Sequence, residues 1–403
     1  MASSPQPPTS SPRSQAGAGG DRLFTAPFVL VCLAACTFFL SHQAVQAALS
    51  LYALHRGGSG ADAGMLALLY STASLVGRVP IGWAMDRFGR RLVMMGGSGI
   101  AVASALLYPA VESLPVLFAL RAFNGLAMAL FSTAAAVVVT DVMPLSRRGE
   151  GIGYFGMGSS VGLALGPVLS LAVVGWVSFM PLFGGAAAVA FIGVLLGLAV
   201  PETGVRTPLP FSLQPEAMFT RSAVVPAILM GTLTVTHGAL VTLLPLMGQE
   251  RTVGNPGAFF TVAALVLVAV RAKAGALSDR WGRPPIIVPG LLLAALAMAL
   301  VGMAHDPRTL LAAGALYGLA FGLAQPALMA LVADRARDAE RGRAISTFYA
   351  GWEVGIGVGA FALGHLLGRT GFTTVFWMGG LVVAGGGISS LLLPGRPGRR
   401  AAG

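Results

Sequence analysis

The chain has 403 residues, 55% of them hydrophobic and only 10% charged; soluble chains carry about 25% charged residues, so a water-soluble globular protein is excluded. The net charge of +11 invites a nucleic-acid partner, yet the basic residues fall in the gaps between apolar runs and form no continuous face for a phosphate backbone. Strand-like alternation over about 10 residues, which a membrane barrel needs, is absent.

Residues 1–22, rich in Ser, Pro, Gly and Gln, predict a disordered tail. The first apolar run covers 24–54 and carries Cys32, Cys36, His42 and Gln46. Two cysteines build neither a disulfide framework nor a zinc site. Leu33-Ala34-Ala35-Cys36 looks like a lipoprotein cleavage site, but the run continues through Ala53, well past a signal core of about 7–15 residues. The second run, 63–85, leads into GWAMDRFGRR, which supplies Gly82, Asp86, Arg87, Gly89, Arg90 and Arg91. Runs follow at 92–111, at 115–140 with Leu117, Arg121, Asn124 and Gly125, at 150–174 with Gly153, Gly162, Gly166 and Pro167, and at 178–200. An arginine inside a span is costly: Arg121 either faces a cavity or snorkels to the nearby interface.

A proline-rich polar stretch, 201–221, separates a second set of runs at 222–248, 258–277, 285–304, 308–333, 343–367 and 373–394. These carry His237, Arg271 and Lys273, GALSDRWGRP (Gly275, Asp279, Arg280, Gly282, Arg283), Gln325, Trp352 and Glu353. Each run suits a helix crossing a bilayer. The expectation is an all-α membrane protein of twelve transmembrane helices. Its domains are a tail (1–22), a six-helix bundle (23–200), a central cytoplasmic loop (201–221), a second bundle (222–394) and a tail (395–403).

With the N-terminus cytoplasmic, eighteen Lys and Arg lie on the cytoplasmic side, four on the other, and four (Arg78, Arg121, Arg271, Lys273) within spans. That bias places both termini inside. Adding 193 takes Arg78 to Arg271, Gly82 to Gly275, Asp86 to Asp279, Arg90 to Arg283, Gly125 to Gly318, Asp141 to Asp334, Gly162 to Gly355 and Gly166 to Gly359. The halves are therefore repeats of equal orientation, an arrangement suited to holding a substrate between them.

Over nearly all of 22–394 these residues resemble the major facilitator superfamily. The G-x-x-x-D-R-x-G-R-R signature is complete at Gly82–Arg91, and its second copy has Pro284 where a basic residue is usual. The resemblance implies a gating motif, with Asp86 facing the start of the eleventh span. Independently, Gly82 is expected to permit a close helix approach and Gly89 a tight turn. Leu117, Arg121, Asn124 and Gly125 are similar to a second family motif in which Gln is usual at the Asn position. Gly153, Gly162, Gly166 and Pro167 resemble the antiporter motif of the drug and sugar efflux branch, with Ser170-Leu171 in place of its closing Gly-Gly. The same spacing also occurs as plain close packing.

Glu353 is the one acid well inside a span. It is read as a proton site, as the partner of a cationic solute or of Arg271 or Lys273, or as a neutral structural acid. Arg121, His42 and His237 are further candidates for proton coupling. His42, Gln46, Asn124, His237, Gln325 and Trp352 are candidates for lining the substrate cavity, because the first, fourth, seventh and tenth spans line it in the family. Arg78 and Arg271 are expected at a gate or helix end. No nucleotide-binding loop, metal cluster or nucleophile–base set is present, so no enzyme, cofactor or metal is expected.

The function expected is a monomeric plasma-membrane transporter that alternates access and exports a small organic solute against protons. The alternative is a proton-coupled importer of a sugar or metabolite. A membrane sensor would need a soluble output domain, and the longest interior loop offers none.

Overall fold

The computed structural model describes residues 22–144, 147–203, 220–337 and 341–391, except for side chains at 148–150, 272, 275, 276, 279, 341 and 342. Most of both expected tails and of the central loop lies outside these residues, as do the surroundings of Gly275 and the side chain of Asp279. The helices are α1 (Ala26–His55), α2 (Gly60–Gly77), α3 (Ile81–Phe88), α4 (Arg90–Leu107), α5 (Leu114–Val142), α6 (Arg148–Trp176) and α7 (Phe179–Leu198), followed by α8 (Val224–Glu250), α9 (Gly257–Trp281), α10 (Pro284–Met303), α11 (Pro307–Arg335) and α12 (Arg341–Ser390).

Twelve helices make twelve crossings, though not one for one. The second crossing is α2 plus α3, bent by 55° at a short break. The sequence pattern predicts one continuous helix there, but Pro80 has no N–H to bond and its ring crowds the preceding turn. Conversely, α12 has 50 residues with a non-helical Gly371 inside, at φ 75°. A straight helix of that length would reach about 75 Å, against a hydrocarbon core of about 30 Å, so α12 is the eleventh and twelfth crossings turned at Gly371.

The repeat seen in the sequence is a repeat in packing. A Cβ at Gly125 would collide with the Tyr70 carbonyl oxygen, and one at Gly318 with that of Ala263, the matching residue. Gly158, Gly162 and Gly166 seat α6 on Cys36, Phe39 and Gln43 of α1. Their counterparts Gly351, Gly355 and Gly359 seat α12 on Ala227, Gly231 and Val235 of α8. Lipid tails are as apolar as side chains, so such helices associate by close van der Waals approach, which glycine allows.

One end of the bundle, here the basic end, carries the two turns at Gly89 (φ 94°) and Gly282 (φ 93°). Both glycines take a left-handed conformation that a Cβ would strain. The opposite, far end holds the loops after α1, α4 and α8. Two seams join the halves there. In one, Gly64 of α2 lies against Ala360 and Phe361 of α12; in the other, Gly257 of α9 lies against Pro167 and Val168 of α6. Asn255 Nδ2 donates to the Val168 carbonyl at 3.3 Å and Thr261 Oγ1 to that of Ala164 at 2.5 Å. Toward the basic end the second seam parts: Gly153 and Gly156 of α6 have nothing within 4 Å of a built Cβ, and Arg271 of α9 turns to Gln325 in its own half.

Candidate functional site

On the basic side of the first seam lies a polar cluster. Tyr70, Ser74 and Arg78 recur every fourth residue, so they share one face of the second crossing. That face meets α12. Ser74 Oγ donates to Glu353 Oε1 at 2.9 Å, and Arg78 Nη2 reaches the same oxygen at 3.3 Å. Glu353 is 5% exposed, and this is an ion pair across the two halves. Arg78 also donates through Nη1 to Thr133 Oγ1 at 3.3 Å, and its guanidinium lies 5.8 Å from the Tyr349 ring centre. Glu353 thus pairs with Arg78, not with the Arg271 or Lys273 considered from sequence. Separating such a buried pair by deleting one partner costs roughly 3–5 kcal/mol, because the other charge is stranded.

One turn toward the far end, Tyr70 carries a second group. Its hydroxyl lies 3.1 Å from His42 Nε2, and its ring lies under the Arg121 guanidinium, 4.2 Å from ring centre to Cζ. Arg121 Nη1 donates to Asn124 Oδ1 at 2.7 Å. Arg121 is 2% exposed, so it does not snorkel to the interface; it is held inside the first half. Its Nε has no hydrogen-bond partner. Gln46, like Asn124, lies beside the His42 ring.

The second half answers with rings. Tyr349 lies 6.3 Å from Trp352, Trp352 lies 5.5 Å from Phe321, and Phe321 lies 6.1 Å from His237. Gln325 is buried and accepts from Arg271. The sequence-predicted cavity residues therefore fall apart: His42, Gln46 and Asn124 gather beside Arg121, a proton-coupling candidate, His237 and Trp352 join the aromatic group, and Gln325 goes with Arg271.

A model of the Major Facilitator Superfamily matches residues 31–272 and 252–402. The chain belongs to that superfamily. It is 23% identical over 379 residues to the staphylopine export protein of Staphylococcus aureus (strain Mu50), covering 89% of this chain and 93% of the relative. It is 39% identical over 121 residues, 30% of each chain, to multidrug resistance protein MdtH of Yersinia pestis. Among solved structures, a POT family transporter bound to 5-aminolevulinic acid superposes with a TM-score of 0.78 at 15% identity, covering 90% of this chain and 95% of that one. A variant of the nucleoside transporter NupG superposes with a TM-score of 0.75 at 15% identity, covering 91% and 99%. At these identities the superpositions speak to the fold alone.

The superfamily signature keeps to its own half in this conformation. Arg90 is paired with Asp141 at the end of α5, and its backbone N–H donates to Glu202 at 2.8 Å. In the second copy Arg283 holds Asp334 through Nε at 2.7 Å and Nη2 at 3.2 Å. Arg91 donates to the Val200 carbonyl at 3.4 Å, and Arg87 lies over the Trp83 ring. Among the described residues Asp86 forms no ion pair, and Arg280 is exposed. Gly82, expected at a close approach, has nothing within 4 Å; Gly77, five residues earlier, is the one that packs, against Leu126.

Sequence reasoning missed Tyr70, Ser74, Tyr349 and Phe321. The first two were available in principle: with Arg78 they form a four-residue polar period inside an apolar run, the mark of a buried face. The two rings carry no such signal, since aromatics at helical spacing also build ordinary cores.

Proposed function

We propose that the protein is a secondary active transporter of the cytoplasmic membrane that exports a small organic solute against protons, with Glu353 as the proton-binding residue. The observation that carries this is the ion pair of Glu353 with Arg78 across the halves. A proton arriving at Glu353 removes the charge that holds Arg78, so occupancy and the junction of the halves change together. With the basic end cytoplasmic, as the positive-inside bias favours, the present conformation is open toward the cytoplasm. Export is supported by the printed functions of the staphylopine exporter and MdtH relatives. One chain suffices, since its two halves already face each other.

The experiment is flux in proteoliposomes under an imposed pH gradient, with a broad solute panel. Wild type should move solute opposite to protons, whereas Glu353→Gln should lose the response to the gradient and keep passive counterflow. Undiminished coupling in that variant would remove Glu353 from the mechanism. Movement of solute with protons would replace export by import.

A further inference from the structure

Charge inside the spans does not balance. Four basic residues lie there; Glu353, the one acid well inside a span, is engaged by Arg78 and Ser74. Arg121 is left with neutral neighbours only: the Asn124 amide, the face of Tyr70, and the Tyr108 hydroxyl near its guanidinium. A guanidinium does not shed its proton, and an ion taken from water without a counter-ion is costly. The Arg121 Nε and the neighbouring Tyr108 hydroxyl are both buried and have at most each other as hydrogen-bond partner. Buried polar groups are nearly always satisfied, and exceptions mark groups that something else comes to fill.

The repeat sharpens the point. The counterpart of Arg121 is Gly314, that of Tyr70 is Ala263, and that of Asn124 is Tyr317. The arrangement is therefore not imposed by the repeat. The second half carries no matching cation there; its own cluster is built of rings, with Phe321 and Trp352 5.5 Å apart.

We infer that the transported solute is an organic anion, its carboxylate held by Arg121 beside Asn124 and Gln46, its apolar body against Phe321 and Trp352. The inference rests on the transporter reading but not on the direction of coupling, because Arg121 and Glu353 are held by different partners. Guanidinium and carboxylate form two parallel hydrogen bonds, a geometry that a lysine ammonium does not reproduce. The rings add stacking surface for an unsaturated or aromatic body.

The test compares benzoate, benzamide and benzylamine, one shape in three charge states, with sulfate at matched ionic strength. The readouts are the thermal midpoint of the purified full-length protein and titration calorimetry. Benzoate alone should raise the midpoint. Arg121→Gln should weaken benzoate at least ~10-fold, equivalent to about 1.4 kcal/mol, and Arg121→Lys should restore part of that. Equal shifts for benzoate and benzamide would overturn the inference on wild-type protein alone, even should the variants fail to fold. Equal shifts for benzoate and sulfate would overturn the organic part. A structural role for Arg121 predicts a lower midpoint without ligand and unchanged benzoate affinity, which also overturns it. Flux separates the two readings. A protein that moves neutral or cationic solutes and ignores benzoate refutes the anion site alone; one that binds benzoate through Arg121 but moves no solute refutes the transporter.

Discussion

The two halves agree at their ends and differ in their middle. At the far end Gly64 against Ala360 and Gly257 against Pro167 are the same contact made twice. At the basic end Arg90 with Asp141 and Arg283 with Asp334 are likewise one pair repeated. Between them the repeat keeps Arg78 as Arg271 but drops the other two charges of the site: Glu353 answers to Ser160 and Arg121 to Gly314. A frame that must close in the same way on both sides preserves its contacts, whereas a binding site for an asymmetric solute has no reason to. What is symmetric here reads as mechanics and what is not reads as chemistry.

The largest effect expected from testing that division comes from the seams. A Cβ at Gly64 would lie 2.5 Å from the Ala360 carbonyl oxygen, and one at Gly257 would lie 2.6 Å from the Val168 nitrogen. Both are backbone contacts, so no side chain can swing away. Overpacking of this kind costs about 1–3 kcal/mol, equivalent to roughly 5- to 150-fold in an equilibrium. Gly64→Val and Gly257→Val should each shift the population toward a far-end-open state by that factor. Spin-label distances across the far end would measure it. A silent Gly257→Val beside a disruptive Gly64→Val would mean that the seams are not equivalent.

A smaller effect is expected at the far-end arginines. Arg56 Nη2 donates to the Pro109 carbonyl at 3.3 Å and to the Tyr52 hydroxyl at 2.8 Å. Arg251 Nη1 donates to the carbonyls of Gly302 and Ala304 at 2.9 and 3.0 Å, and Nη2 to Thr373 Oγ1 at 2.9 Å. Each caps the far end of the third crossing of its half, where carbonyls lack intrahelical partners and a cation is favoured. Charged hydrogen bonds contribute about 1.5–3 kcal/mol. Arg251→Gln should therefore lower the thermal midpoint more than Arg56→Gln, because Arg251 also binds the twelfth crossing. Equal losses would assign both arginines to capping alone.

How much of this was legible beforehand follows the same division. Span count, repeat offset and the turn at Gly89 were readable, because hydropathy and glycine report directly on bilayer and backbone. The break before α3 was written as Pro80 but overridden by the apolar run around it. Partners were not readable. For Glu353 the sequence offered Arg271 or Lys273, and only the close seating of α12 on α2, allowed by Gly357 and Gly364, brings in Arg78 instead. Likewise Gly162 and Gly166, read as an antiporter signature, do in the structure what Gly355 and Gly359 do in the other half. The packing is shared by both halves and does not by itself report on the direction of transport.

The smallest effect belongs to the signature arginines. The Arg90–Asp141 side chains are 29% and 27% exposed, and those of Arg283–Asp334 are 12% and 49% exposed. Pairs in such surroundings are worth about 0–1 kcal/mol and weaken further with salt. A double-mutant cycle on each pair, read by thermal unfolding, should give couplings under about 1 kcal/mol that agree with each other within ~0.5 kcal/mol. There is a sharper consequence. A bond that stays within one half is present in every state of the cycle, and an interaction equal in two states shifts no equilibrium between them. Arg90→Ala and Arg283→Ala should thus lower stability slightly while leaving the far-end distance distribution as in wild type. A changed distribution in either variant would show that the pair is exchanged for one across the halves when the basic end closes, and would move the signature from the frame to the gate.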